Sequence, residues 1–185
     1  MAIIIDENTN VLVMGITGKQ ASFHTKQMLA YGTKIVAGVT PGKGGATVEG
    51  VPVYNTVREA CENHKIDASV IFVPAPATKD AALENIEAGI GVVVIITEGV
   101  PVYDEIEIVA YAKRKGAIVL GPNTFGIVSG GKCKIGIPPN QYFIEGNVGV
   151  VARSGTLTYE ITGNLTANGI GQSTVVGMGG DRAVG

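Results

Sequence analysis

The chain has 185 residues, 45% of them hydrophobic and 16% charged, with 27 Gly, no Trp and a formal net charge of −2. That much apolar material excludes a disordered chain, and a balanced charge without any basic cluster excludes a nucleic-acid partner. The length allows one large domain, or one domain with part of another.

Cys61 and Cys133 are neither adjacent nor at metal-ligand spacing, so they read as free thiols of a reducing compartment and no metal site is expected. The start, Met1-Ala2-Ile3-Ile4-Ile5-Asp6, carries no basic stretch and soon meets charge. The longest apolar run, 92–96, is far too short for a bilayer. The expectation is a soluble cytoplasmic protein with no membrane partner, or a mitochondrial matrix protein if this is the mature form of a eukaryotic one.

Short β-branched runs at 11–14, 34–39, 68–73, 92–96 and 118–120 predict strands, and the apolar spacing of 19–31, 56–64, 78–88 and 104–115 predicts helices between them. Many Gly and Val with few aromatics suit a buried parallel sheet joined by tight turns. Strict alternation implies right-handed crossovers, hence a Rossmann-like doubly wound α/β domain over 1–130. Beyond it Gly and Pro recur without helical period, so 131–146 reads as a connection. A strand at 147–152, a helix at 156–168 and a strand at 173–178 then form one βαβ unit. One such unit cannot bury both faces of its strands. The stretch 147–185 therefore reads as an incomplete, truncated start of a second domain with apolar surface left exposed.

Ligands of open α/β sheets sit beyond the carboxyl ends of the strands. After the first predicted strand comes Gly15-Ile16-Thr17-Gly18-Lys19-Gln20. Its glycines allow a tight turn and leave helix-start amides free for phosphate, although a purely structural turn would look the same. Thr17 stands where the second Gly of a dinucleotide fingerprint would be. The second strand ends Val39-Thr40-Pro41-Gly42-Lys43-Gly44-Gly45, with no carboxylate until Glu49. NAD needs an acidic residue there for its ribose; Lys43 suits a ribose bearing phosphate, as in CoA or NADP, or is a solvated turn lysine. Val73-Pro74-Ala75-Pro76 offers a stiff apolar wall, and Ile96-Thr97-Glu98-Gly99 places a carboxylate at a strand end. Gly121-Pro122-Asn123-Thr124 could close the same crevice. Ser154, ahead of Gly155 and Thr156, is a fair N-cap, and the exposed amides behind it could donate to phosphate or carboxylate. His24 and His64 lie on predicted helices away from strand ends and read as structural or solvated.

Taken together, these segments, with Val53-Tyr54-Asn55-Thr56-Val57, Phe72-Val73-Pro74-Ala75-Pro76, Lys134-Ile135-Gly136-Ile137 and Arg153-Ser154-Gly155-Thr156-Leu157-Thr158-Tyr159-Glu160, resemble the alpha subunit of succinate–CoA ligase, in order from residue 3 to about 181. The resemblance implies a heteromeric ligase of the tricarboxylic acid cycle, with a beta subunit, that joins succinate to CoA using ATP or GTP and Mg²⁺. It implies CoA held by Thr17, Gly18, Lys19, Gln20, Pro41, Lys43, Val73, Ile96, Thr97, Glu98 and Asn123. Tyr159 would help shape the site of the dicarboxylic acid, and Ser154, Gly155 and Thr156 would start a helix aimed at a phosphorylated histidine. That histidine belongs to a flavodoxin-like second domain past residue 185, so no catalytic residue is expected here and the chain alone should be inactive. Where the family usually has Cys-Pro after Gly-Pro-Asn, this chain has Thr124-Phe125. The alternatives are a malate–CoA or related acyl-CoA ligase subunit, a CoA-binding module without catalysis, and an NAD(P)-dependent oxidoreductase, the last disfavoured by the missing acidic residue.

Overall fold

The computed structural model describes residues 2–185. Its larger sheet holds β1 (Asn10–Met14), β2 (Lys34–Val39), β3 (Thr47–Val48), β4 (Val51–Tyr54), β5 (Ala68–Ile71), β6 (Val92–Ile95) and β7 (Ile118–Leu120). Their order is β3-β4-β2-β1-β5-β6-β7, and every neighbouring pair is parallel except β3 with β4. The predicted Rossmann-like doubly wound sheet is therefore present. The order reverses between β1 and β5, which puts the switch point at the loops after those two strands. Strand β4 and its hairpin partner β3 went unread in the sequence because they are short and contain Pro52. A turn with two positive-φ residues, Glu49 (φ 51) and Gly50 (φ 82), joins them.

Side-chain alternation divides the core between the two faces of this sheet. Leu12, Met14, Ile71, Val93 and Ile95 pack against helices α2 (Val57–Asn63), α3 (Ala75–Glu87) and α4 (Val102–Lys115). Val11, Val13, Val70 and Val94 face the other way, where only α1 (Lys19–Tyr31) is available as a helical cover. The rest of that face is covered by a second sheet. Its strands are β8 (Gly126–Ser129), β9 (Cys133–Gly136), β10 (Glu145–Ala152) and β11 (Gln172–Gly177), in the order β10-β11-β8-β9. Ile127, Cys133, Ile135 and Val176 of this sheet share one apolar cluster with Val11, Val70 and Val94.

The stretch expected to be a connection thus carries strand β9 and a 3₁₀ turn at Asn140–Tyr142. Strands β8 and β9 show no alternation because all their residues are buried on both faces. The hairpin closes tightly: Gly126 pairs with Gly136, and a Cβ on Gly126 would lie 2.0 Å from the Ile135 carbonyl oxygen. The βαβ unit formed by β10, α5 (Gly155–Ala167) and β11 is likewise not alone, since β11 pairs with β8. One side of its sheet lies on the large sheet, and the other packs through Phe125, Val128, Phe143 and Val175 toward Tyr159 of α5. Apolar side chains still remain exposed around it, with Val151 67% and Leu157 59% accessible. No helix among the described residues is long and apolar enough to cross a membrane.

Lys134 of β9 stitches the layers together. It is 1% exposed, its Nζ donates to the Pro138 carbonyl at 2.9 Å and to Asn140 Oδ1, and its backbone exchanges hydrogen bonds with Thr33 Oγ1 at 2.7 and 3.0 Å. Burial pulls this ammonium down to about 8 from its ordinary 10.5. A lysine with a lowered pKa binds its proton less well in the folded chain than in the unfolded one. Its contribution is therefore least favourable below pH 8 and improves as pH climbs from 8 toward 10.5. Lys134→Met removes that titration. Urea melts should show the unaltered chain gaining roughly 2–3 kcal/mol on the variant between pH 7 and the unfolded value. A difference independent of pH would mean that the amine is solvated.

Candidate functional site

The loops after β1, β2, β5, β6 and β7 line the carboxyl edge of the larger sheet from the switch point outward. Helix α1 begins at Gly18 (φ −69, ψ 147) with no side-chain cap and no acidic residue in its first turn. Gly18 N–H bonds back to Gly15 at 2.9 Å and Ser22 N–H reaches Gly18 at 2.8 Å, so the intervening amides of Lys19, Gln20 and Ala21 are the ones open to an anion. Thr17, Lys19 and Gln20 are all exposed. The Thr17 hydroxyl sits 3.2 Å from that of Thr40, which ties the loop after β1 to the loop after β2.

The second loop is a type II turn. Lys43 N–H donates to the Thr40 carbonyl at 3.0 Å across Pro41 and Gly42, and Gly42 supplies the φ of 76 that this turn requires. Asn55, after β4, holds it from below. Its Oδ1 accepts Gly42 N–H at 2.9 Å and Gly44 N–H at 3.0 Å, and a Cβ on Gly44 would strike its Nδ2 at 2.2 Å. Lys43 is exposed on this braced turn and has no acidic partner among the described residues.

The third part runs along the ends of β5, β6 and β7. Val73 and Ile96 are half-buried, and the Thr97 hydroxyl donates to the Val73 carbonyl at 2.6 Å, fastening neighbouring loops. Glu98 is exposed beside them. Beyond lies a cavity of about 590 Å³ between the two sheets, whose lining includes Thr97, Glu98, Asn123, Phe125, Arg153 and Tyr159. Gly155 and Thr156 line it as well, at the start of α5. Ser154 caps that helix, its Oγ accepting Leu157 N–H at 3.3 Å, and the amides of Gly155 and Thr156 that follow it have no helical partner. Tyr159 packs edge-on against Phe125 at 5.7 Å, and burial pushes its phenol up to about 12. It is therefore a neutral hydroxyl at physiological pH. Thr124 donates to the Gly177 carbonyl at 2.6 Å and Phe125 is buried, so the Thr-Phe pair forms the cavity's rear wall.

The structure thus gathers the predicted residues into two patches, one at Thr17 to Gln20 with Pro41 and Lys43, the other around Asn123, Tyr159 and the α5 start. Ile96, Thr97 and Glu98 line the cavity of the second patch, and Val73, after β5, lies between the two along the sheet order β1-β5-β6-β7. The sequence reading missed Thr40 and Asn55 as braces: Thr17, the partner of Thr40, lies in another loop, and Asn55 follows β4, a strand the sequence did not reveal. His24 and His64 stay outside the site. His24 stacks on Phe72 at 5.8 Å, with burial and the nearby Lys134 lowering its pKa, and His64 bonds the Tyr54 hydroxyl at 2.8 Å. Another depression, about 530 Å³, lies between α2 and the second half of α3 and includes none of the predicted ligand residues. Among the described residues no group of three or more His, Cys, Asp or Glu could hold a metal ion.

Residues 6–99 match the CoA binding domain family. The chain belongs to that family. Over its full length this CoA-binding protein is 61% identical to alpha subunit 2 of an ADP-forming succinate–CoA ligase from Archaeoglobus fulgidus. It is 58% identical, over 99% of its residues, to the alpha subunit from Methanothermobacter thermautotrophicus. It spans 64% and 62% of the lengths of those two relatives. Among solved structures, an ATP citrate lyase from Methanothrix soehngenii in complex with citrate and coenzyme A shares its fold at a TM-score of 0.87 and 24% identity, covering 98% of this chain and 33% of that one. A dinucleotide-forming acetyl-coenzyme A synthetase from Ca. Korarchaeum cryptofilum matches at a TM-score of 0.79 and 26% identity, over 95% of this chain and 40% of that one.

Asn55→Ala tests the brace under Lys43. Removing one acceptor from two amides should speed hydrogen exchange at Gly42 and Gly44 by about tenfold, the factor for one net hydrogen bond. Unchanged exchange at both amides would show that the turn holds itself.

Proposed function

We propose that the chain is the CoA-binding part of the alpha subunit of a nucleoside-diphosphate-forming succinate–CoA ligase. The whole enzyme converts succinate, CoA and ATP or GTP to succinyl-CoA, ADP or GDP, and phosphate. The observation that carries this reading is the linear arrangement of the site. Open amides at the α1 start suit the CoA phosphates, and Lys43 on its braced turn suits the ribose 3′-phosphate. Val73, Ile96, Thr97, Glu98 and Asn123 follow in sheet order as the track for the uncharged arm. At its far end the α5 amides of Gly155 and Thr156 suit an anion, with Tyr159 contributing a neutral hydroxyl to the dicarboxylic acid's site.

Within this reading the chain's own chemistry is binding and orientation. It holds the thiol end of CoA beside the α5 start, where an acyl or phosphoryl group would be presented. ATP or GTP with Mg²⁺ enters through a beta subunit, which supplies the phosphoryl group. The exposed Val151 and Leu157 beside the site suit an obligate partner surface, and a cytoplasmic location goes with the free Cys61 and Cys133.

Calorimetry on Lys43→Ala decides the cofactor. CoA should bind about 1–3 kcal/mol more weakly, the range for a charge-assisted hydrogen bond, while dephospho-CoA should bind as before. The discrimination should shrink as salt rises, since Lys43 is exposed. Equal losses for both ligands would remove Lys43 from the phosphate site, and tighter binding of NAD than of CoA would overturn the assignment.

A further inference from the structure

One carboxamide in the wall of the cavity between the sheets has a partner for its nitrogen and none for its oxygen among the described residues. Asn123, after β7, adopts the left-handed conformation (φ 58). Its N–H donates to the Thr97 carbonyl at 2.9 Å, and its carbonyl accepts Gly180 N–H at 2.8 Å. Its side-chain Nδ2 donates to Asp181 Oδ1 at 3.0 Å. A carboxylate only accepts hydrogen bonds, so Asp181 obliges Asn123 to turn its nitrogen away and leaves Oδ1 as the group to meet a ligand.

Asp181 is itself held from several elements. Arg153 donates through Nε to the Gly179 carbonyl at 2.9 Å and through Nη2 to the carbonyl of Asp181. Two residues on, Ala183 N–H bonds Oε2 of the buried Glu105 of α4 at 2.8 Å. Yet the second carboxylate oxygen of Asp181, Oδ2, is buried with no partner among the described residues. An unpaired buried carboxylate oxygen is an unfavourable choice for simple scaffolding.

We infer that Asp181 is a positioning residue for CoA, one that turns the Asn123 carboxamide oxygen toward the crevice as the acceptor for an amide N–H of the CoA arm. The inference rests on the CoA reading above and assigns a role that reading leaves open. The class of donor follows from the sheet. Strand β7 lies three positions from β1, and neighbouring strands are about 4.8 Å apart, so the ligand atoms at Asn123 are roughly 14 Å from phosphates at α1. That distance lies past the nucleotide, on the arm that carries the amides. A flipped carboxamide would set N–H against N–H.

The test compares CoA with 3′-phosphoadenosine 5′-diphosphate, which has the nucleotide end and no arm, by calorimetry on the full chain. Asp181→Ala should weaken CoA roughly three- to tenfold, one net hydrogen bond, and leave the nucleotide fragment unchanged. Asp181→Asn, which keeps an oxygen for Asn123 Nδ2, should recover most of the loss. Unchanged CoA affinity in Asp181→Ala, equal losses for both ligands, or no recovery in Asp181→Asn would overturn the positioning role while the CoA reading stands. Failure of the unaltered chain to bind CoA would overturn both.

Discussion

A parallel sheet needs cover on both faces, and the winding of this chain leaves one face short of helices. Three of the four crossover helices, α2, α3 and α4, lie on one side, and α1 alone lies on the other. The uncovered strip over β1, β5 and β6 is filled by the β8–β9 hairpin, through Ile127, Cys133 and Ile135. Strand β11 pairs with β8 and β10 with β11, so docking this hairpin carries the whole second sheet onto the first. Lys134 and Thr33 secure the contact with hydrogen bonds that join β9 to the turn between α1 and β2.

The cavity follows from that docking. With the second sheet in place, β10 delivers Arg153 and the capped start of α5 beside the ends of β6 and β7. The carboxyl edge then carries open amides at both extremities, those of α1 near the switch point and those of α5 over the cavity. Between them Val73 and Ile96 form an apolar stretch, with Glu98 exposed beside it and Phe125 at the rear. Such a distribution suits a ligand that is anionic at one end, neutral along an extended arm, and reactive where a second anion is held. Water displaced from the apolar stretch leaves the polar contacts to set orientation.

Much of the site was legible because strand-end loops are local. Thr17 to Gln20 and Pro41 to Lys43 each lie within a few residues of the strand that positions them, and a lysine where NAD would need an acidic residue is a cue readable without the fold. The braces were not legible. Asn55 reaches Gly42 across 13 positions, Thr17 meets Thr40 across 23, and Asn123 meets Asp181 across 58. Each is a polar contact formed only after strands have been ordered side by side.

The same division holds for the fold. Alternating β-branched runs and helical periods determined the doubly wound sheet, because amphipathic spacing is written residue by residue along each element. Strands β8 and β9 carry no such spacing, since a strand buried on both faces loses its alternation, and their Gly-rich surroundings look like a loop. Whether the stretch after β7 wanders or docks depends on a bare sheet face built from β1, β5 and β6, all of them earlier and separate stretches of the chain. Sequence by itself determined the parallel core of the first sheet and the strand-end loops proposed to meet CoA. The pairing of β11 with β8, the cavity under α5 and the orientation of Asn123 were decided by tertiary structure, because each depends on which apolar surfaces meet, and that is a property of the assembled layers.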